Sequence, residues 1–153
     1  MSKKMKKLET NKVYEGNSLD VLKTFPDESL DMCVTSPPYW GLRDYEMDDQ
    51  LGLESTPEKF INNLCDIFDE VKRVLRPHGS CWVNLGDSYV RNPSQQDQIG
   101  KTGIQSAKYQ YNFKHKKNYS STYKAKSLAQ IPSRFAIEMT DRGWILRNEI
   151  IWH

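Results

Sequence analysis

Long apolar runs are what this chain of 153 residues most plainly lacks. Its longest, such as Ile150-Ile151-Trp152, fall far below the ~20 residues that span a bilayer, and the Lys-rich start from Met1 to Lys7 leads into no apolar signal core. A cytoplasmic protein without membrane contact is expected. Cysteine is scarce as well. Cys33, Cys65 and Cys81 stand far apart, with no C-x-x-C pair and no His at ligand spacing, so neither a disulfide framework nor a metal site is readable; all three are expected to be reduced, buried small residues. A large net charge is also missing: 22 Lys and Arg against 20 Asp and Glu leave +2, which implies no polyanion partner unless the charges are unevenly spread. They are unevenly spread. From Gln98 to Ile137 there is no Asp or Glu at all, while Lys101, Lys108, Lys114, Lys116, Lys117, Lys124, Lys126 and Arg134 all fall there. With 37% hydrophobic and 27% charged residues, the length suits one modest domain over residues 1–153, carrying a basic insertion at about 90–126.

The apolar residues that are present lie in short, patterned segments. Val13 to Gly16 reads as a strand and Ser18 to Phe25 as a short helix stopped by Pro26-Asp27. Leu30 to Val34 is a β-prone run that ends at Thr35-Ser36-Pro37-Pro38, since neither proline can donate to a ladder. From Pro57 to Leu75, Phe60, Ile61, Leu64, Ile67, Phe68, Val71, Val74 and Leu75 recur at three- and four-residue steps, predicting a helix with one apolar face. Ser55 with Glu58, or Thr56 with Pro57, can cap its start. Pro77-His78-Gly79 reads as a turn into a third strand, Ser80 to Leu85. Tyr89 to Lys126 shows no sustained period and reads as a long loop. Ser127 to Arg142 predicts a last helix closed by Gly143, and Trp144 to Trp152 a last strand.

About four strands and three helices in alternation predict an α/β fold, a doubly wound sheet with parallel pairing. The sheet looks unfinished, because an interior-type strand at Ile150-Ile151-Trp152 has nothing after it to cover it. The natural domain is therefore expected to continue in a longer polypeptide or a partner chain.

Thr35-Ser36-Pro37-Pro38-Tyr39-Trp40 is the most informative segment. Taken alone, Ser-Pro-Pro is a strand-terminating turn with aromatics packed beside it. Its position changes the reading, because ligand sites in open α/β sheets lie at the carboxyl ends of strands. With Val74-Leu75-Arg76-Pro77-His78-Gly79, Asn84-Leu85-Gly86-Asp87-Ser88-Tyr89, Ile131-Pro132-Ser133-Arg134 and Gly143-Trp144-Ile145-Leu146-Arg147, this segment resembles the DNA amino-methyltransferases, in that family's order. Those enzymes methylate the exocyclic nitrogen of cytosine or adenine using S-adenosylmethionine on a Rossmann-like sheet. A serine-first tetrapeptide followed by tryptophan is similar to the cytosine-N4 branch; Asp at position 36 would be more typical of adenine-N6 enzymes.

The resemblance implies catalytic roles for Ser36, Pro37, Pro38 and Tyr39. An exocyclic amine is a poor nucleophile until acceptors hold its N–H groups and let the nitrogen rehybridise. Ser36 Oγ and the Pro37 carbonyl are suited to that, and Tyr39 offers a ring on which an extruded base can stack. No cysteine stands in the Pro-Cys dipeptide of a carbon-5 enzyme, so transfer is expected to be direct. For the cofactor the resemblance implies positions Asn17, Thr35 and Asp87. Gly16-Asn17-Ser18 stands where the family more often has Gly-Asp, and reads equally well as a turn with a helix cap. The family's Asp-Pro-Phe-x-Gly-x-Gly run is missing, as no two glycines are spaced Gly-x-Gly. The chain thus resembles the N-terminal half of such an enzyme.

Tyr109, Tyr111, Phe113, Tyr119 and Tyr123 are interleaved with the lysines of the insertion, a composition suited either to tracking phosphates and stacking bases or to a solvated loop. Beside a base-flipping motif, double-stranded DNA contact is expected through Lys114, Lys116, Lys117, Tyr119 and Arg134. The rival expectations are an adenine-N6 enzyme, a truncated DNA-binding fragment without catalysis, and one half of a split enzyme.

Overall fold

The computed structural model describes residues 8–90 and 123–151. Five elements follow one another: α1 (Ser18–Lys23), β1 (Leu30–Thr35), α2 (Pro57–Val74), β2 (Leu75–Val83) and α3 (Ile131–Asp141). β1 and β2 pair in parallel through the α2 crossover, in the register Met32 with Ser80, Cys33 with Cys81, Val34 with Trp82 and Thr35 with Val83. The expected strand, helix, strand unit is therefore formed.

α2 is the element on which the others converge. Thr56, rather than Ser55, caps it: Thr56 Oγ1 accepts the Lys59 N–H at 3.2 Å, with Pro57 in the first turn. Phe60, Ile61, Leu64, Cys65, Phe68, Val71 and Val74 are buried along one face. α3 lies against this face with Phe135 edge-on to Phe68, ring centroids 5.1 Å apart. Arg142 fastens its end by reaching Asp66 and Asp69 of α2 at 2.8 and 2.7 Å, while Lys72 Nζ donates to the Arg142 and Gly143 carbonyls. On the other side Arg73 donates to the Leu22 and Phe25 carbonyls, which holds α1.

Two expectations are corrected. In place of the turn expected at Pro77-His78-Gly79, β2 starts directly after α2 and takes up residues 76–79 as a bulge, where the register breaks between Leu30 and Met32. A bulge is where a strand tolerates proline. The strands expected at Val13 to Gly16 and Trp144 to Trp152 are absent among the described residues, which include 144–151. Neither run has a strand beside it, and Val13 and Ile151 are 92% and 81% exposed. Of the expected doubly wound sheet, the described residues form a two-stranded parallel part, and among them only one face is covered. Cys33, Cys81 and Val83 pack on the core, whereas Met32, Val34 and Trp82 of the opposite face are exposed, Val34 to 69%. The observed architecture is thus α/β with a two-stranded parallel sheet. No described helix is long and apolar enough to cross a membrane.

Candidate functional site

Parallel strands end on the same side of a sheet, so the segments that leave β1 and β2 must meet there. The first is Ser36-Pro37-Pro38-Tyr39 and the second Asn84-Leu85-Gly86-Asp87-Ser88. The Asn84 N–H donates to the Thr35 carbonyl at 2.9 Å, extending the ladder past β2, and Asn84 Nδ2 donates to Ser36 Oγ at 3.3 Å. Ser36 is exposed, while Pro37, Pro38 and Tyr39 are half-buried. No described residue donates a hydrogen bond to the Pro37 carbonyl. The Tyr39 ring lies against Gly86, where a Cβ would come within 2.7 Å of Cε2.

Trp40 anchors the far end of the tetrapeptide. It is 1% exposed, donates Nε1 to the Glu54 carbonyl at 3.0 Å, and its own carbonyl accepts from Ser88 Oγ at 2.9 Å. The loop after it is drawn closed. Glu54 Oε2 accepts from Gly52 N at 2.9 Å, and Gly41 N donates to the Gly52 carbonyl at 2.7 Å. Gly52 has φ +93, and a Cβ there would meet the Tyr39 carbonyl at 2.8 Å, so conformation and space both require glycine. Two acceptors, Ser36 Oγ and the Pro37 carbonyl, and one aromatic ring therefore stand together at the open end of the sheet.

The positions expected to serve a cofactor carry structural duties. Asn17 caps α1, its Oδ1 accepting from Leu19 N at 3.0 Å and Asp20 N at 3.4 Å, as the turn-and-cap reading required. Thr35 gives its carbonyl to Asn84. Asp87 caps α3 from outside it: Oδ2 accepts from Gln130 N at 3.1 Å, and Oδ1 from Ile131 N at 3.0 Å and Ser88 N at 2.8 Å. With no Gly-x-Gly turn in the sequence, the residues present do not by themselves make up an S-adenosylmethionine site.

Of the expected DNA contacts, Lys114, Lys116, Lys117 and Tyr119 lie outside the described residues. Arg134 is half-buried. Its Nε donates to the Ala129 carbonyl at 2.9 Å, and its guanidinium lies 3.6 Å from Glu58 and 5.0 Å from the centroid of the Tyr123 ring. Tyr123 in turn donates to Glu58. The chain on either side of the 91–122 stretch is held together by Lys126 N to Val90 O and Val90 N to Ser127 O, both 2.8 Å, with Tyr89 bridged to Leu128. Those flanks adjoin Ser88, and through it Trp40.

Sequence reasoning did not give roles to Asn84, Gly86 and Glu54, nor join Cys33 to Cys81. Their partners lie across the sheet or the loop, and only the register brings them together. Cys65 is fully buried, which pushes its thiol up to about 12; Cys33 and Cys81 are half-buried, and the Cys81 thiol beside Cys33 lowers the latter to about 7. No described group of three His, Cys, Asp or Glu could hold a metal.

Residues 30–153 match the family model described as DNA methylase, so the chain belongs to the N6/N4 DNA methylase family. Among curated relatives it is 39% identical over 147 residues to the Type II methyltransferase M.Cfr9I of Citrobacter freundii. It is 42% identical over 145 residues to M.SfiI of Streptomyces fimbriatus, and 34% over 147 residues to M.SmaI of Serratia marcescens. These matches take in 92%, 92% and 95% of this chain but 45%, 30% and 48% of the relatives, so it spans less than half of their length. No solved structure matches.

Proposed function

We propose that this chain supplies the base-binding part of a site-specific DNA methyltransferase of a restriction–modification system, one that methylates the N4 amine of cytosine in duplex DNA. The observation that carries the reading is the juxtaposition of Ser36 Oγ, the Pro37 carbonyl and the Tyr39 ring at the end of a parallel strand in a DNA methylase chain. Serine at the head of the tetrapeptide and Trp40 after it favour cytosine over adenine.

A flipped base stacks on Tyr39, and its amine donates one N–H to Ser36 Oγ and the other to the Pro37 carbonyl. With both hydrogens held, the nitrogen can become tetrahedral and its lone pair leaves the ring system. These acceptors strengthen as charge builds on the nitrogen, so they act on the transition state more than on the bound base. Pro37 and Pro38 hold the carbonyl in place without needing hydrogen-bond partners of their own. The methyl donor implied by the family is S-adenosylmethionine, which supplies an electrophilic methyl group. Asn17, Thr35 and Asp87 stand at the border of its site through the backbone they fix.

DNA affinity comes from Lys114, Lys116, Lys117 and Tyr119, with Arg134 and Tyr123 securing the flank of that stretch. Nucleoside analysis of duplex DNA treated with the complete enzyme tests the assignment. N4-methylcytosine is expected, and N6-methyladenine would overturn the choice of base.

A further inference from the structure

The glycine at 86 is not needed for its backbone. Its φ lies outside the left-handed region, so the backbone does not demand glycine, and the three atoms nearest to a side chain there all belong to Tyr39, whose Cε2 and Cδ2 would stand 2.7 and 2.9 Å from a Cβ. An alanine there would force the ring to retreat by about 0.8 Å to reach ordinary ~3.5 Å carbon contact. Two residues earlier, Asn84 uses its backbone N–H on the Thr35 carbonyl and its side-chain amide on Ser36 Oγ, at 2.9 and 3.3 Å. That amide occupies one lone pair of the Ser36 hydroxyl, fixes its rotamer and leaves the other lone pair as an acceptor. The two ends of the tetrapeptide thus rest on alternate residues of one segment leaving β2.

We propose that Asn84 and Gly86 are positioning residues for the methyl transfer: Asn84 orients the Ser36 acceptor, and Gly86 sets the Tyr39 ring at the depth where the extruded base stacks. This rests on the amine-binding reading of Ser36 to Tyr39. Neither residue touches the base. Both act through preorganisation, where displacement by an ångström costs up to about 100-fold in rate.

Two double-mutant cycles on the complete enzyme test it, read by single-turnover methyl transfer and by the fluorescence of 2-aminopurine at the target position. Gly86→Ala is expected to slow transfer by about 10- to 100-fold and to reduce the 2-aminopurine signal, yet to cost almost nothing further once Tyr39→Ala has removed the ring. Asn84→Ala and Asn84→Asp are expected to slow transfer alike, because Asp restores the shape but not the donor, and to lose their effect in Ser36→Ala. A merely structural role for either residue would make the losses additive, which overturns the proposal, as would wild-type rates for Gly86→Ala and Asn84→Ala. If Gly86→Ala does not fold, the Tyr39→Ala/Gly86→Ala double variant is expected to regain the fold; failure of both overturns the proposal. Wild-type rates for Ser36→Ala and Tyr39→Ala alone would overturn the amine-binding reading and this proposal with it. Slow single variants with additive doubles would overturn this proposal only.

Discussion

Cys33 and Cys81 show how much a side chain's chemistry depends on its register partner. Separated by almost fifty positions in sequence, they are neighbours on paired strands, and the Cys81 thiol lowers the Cys33 pKa to about 7 by hydrogen bonding to the thiolate. A lowered pKa means more thiolate at a given pH, and the thiolate is what reacts. Iodoacetamide labelling is therefore expected to modify Cys33 with a rate that rises through about pH 7, while Cys65, pushed up by burial, stays unmodified. Cys81→Ala removes the donor and should move the Cys33 profile toward the ordinary ~8.5. Peptide mapping of labelled protein over a pH series checks this, and an unchanged profile in Cys81→Ala would refute it. Of the candidate site, Ser36, Pro37, Pro38 and Tyr39 were legible in sequence because their types and order are what the proposed chemistry needs. Asn84 and Gly86 were not, since an amide that reaches a serine 48 residues away and a glycine that makes room for a ring leave no local pattern.

Among the elements, α2 was the most legible, as an apolar face of several turns, a Thr cap and a Pro at its start are all local signals. Its junction with β2 was not. Leu75 keeps the helical phase, but the backbone is already extended there, so Pro77-His78-Gly79 falls within the strand. The expected strands near Val13 and Trp144 failed for a more general reason: a strand exists by virtue of its partner, which a single segment cannot reveal. α3 depends on a residue far outside it. Gln130 precedes the helix in the left-handed region, φ 57, and makes no side-chain cap, so the first N–H groups are satisfied by Asp87. Asp87→Ala is expected to cost about 1 kcal/mol, read as a lower urea midpoint at unchanged slope, and Asp87→Asn less because an acceptor remains. No change in midpoint for Asp87→Ala would mean that water caps α3 equally well.

For the molecule as a whole, the exposed face of Met32, Val34 and Trp82 and the missing Gly-x-Gly turn lead to one expectation: the purified 153-residue chain does not methylate duplex DNA. Transfer of labelled methyl above a heat-killed control would contradict it. Affinity is expected to be strongly salt-dependent in the complete enzyme. Each phosphate neutralised adds about 0.9 to the slope of log affinity against log salt, so replacing Lys114, Lys116 and Lys117 with Ala should flatten it by up to about three units in anisotropy titrations. An unchanged slope would place those lysines off the DNA. The most direct test is of Ser36 in the complete enzyme, with single-turnover methyl transfer and DNA affinity measured on the same preparation. Ser36→Ala removes an acceptor needed only as the amine rehybridises, and the expected result is a loss of about 100-fold in rate with affinity unchanged. A Ser36→Ala enzyme that transfers methyl at the wild-type rate would show that Ser36 to Tyr39 is only the turn that ends β1.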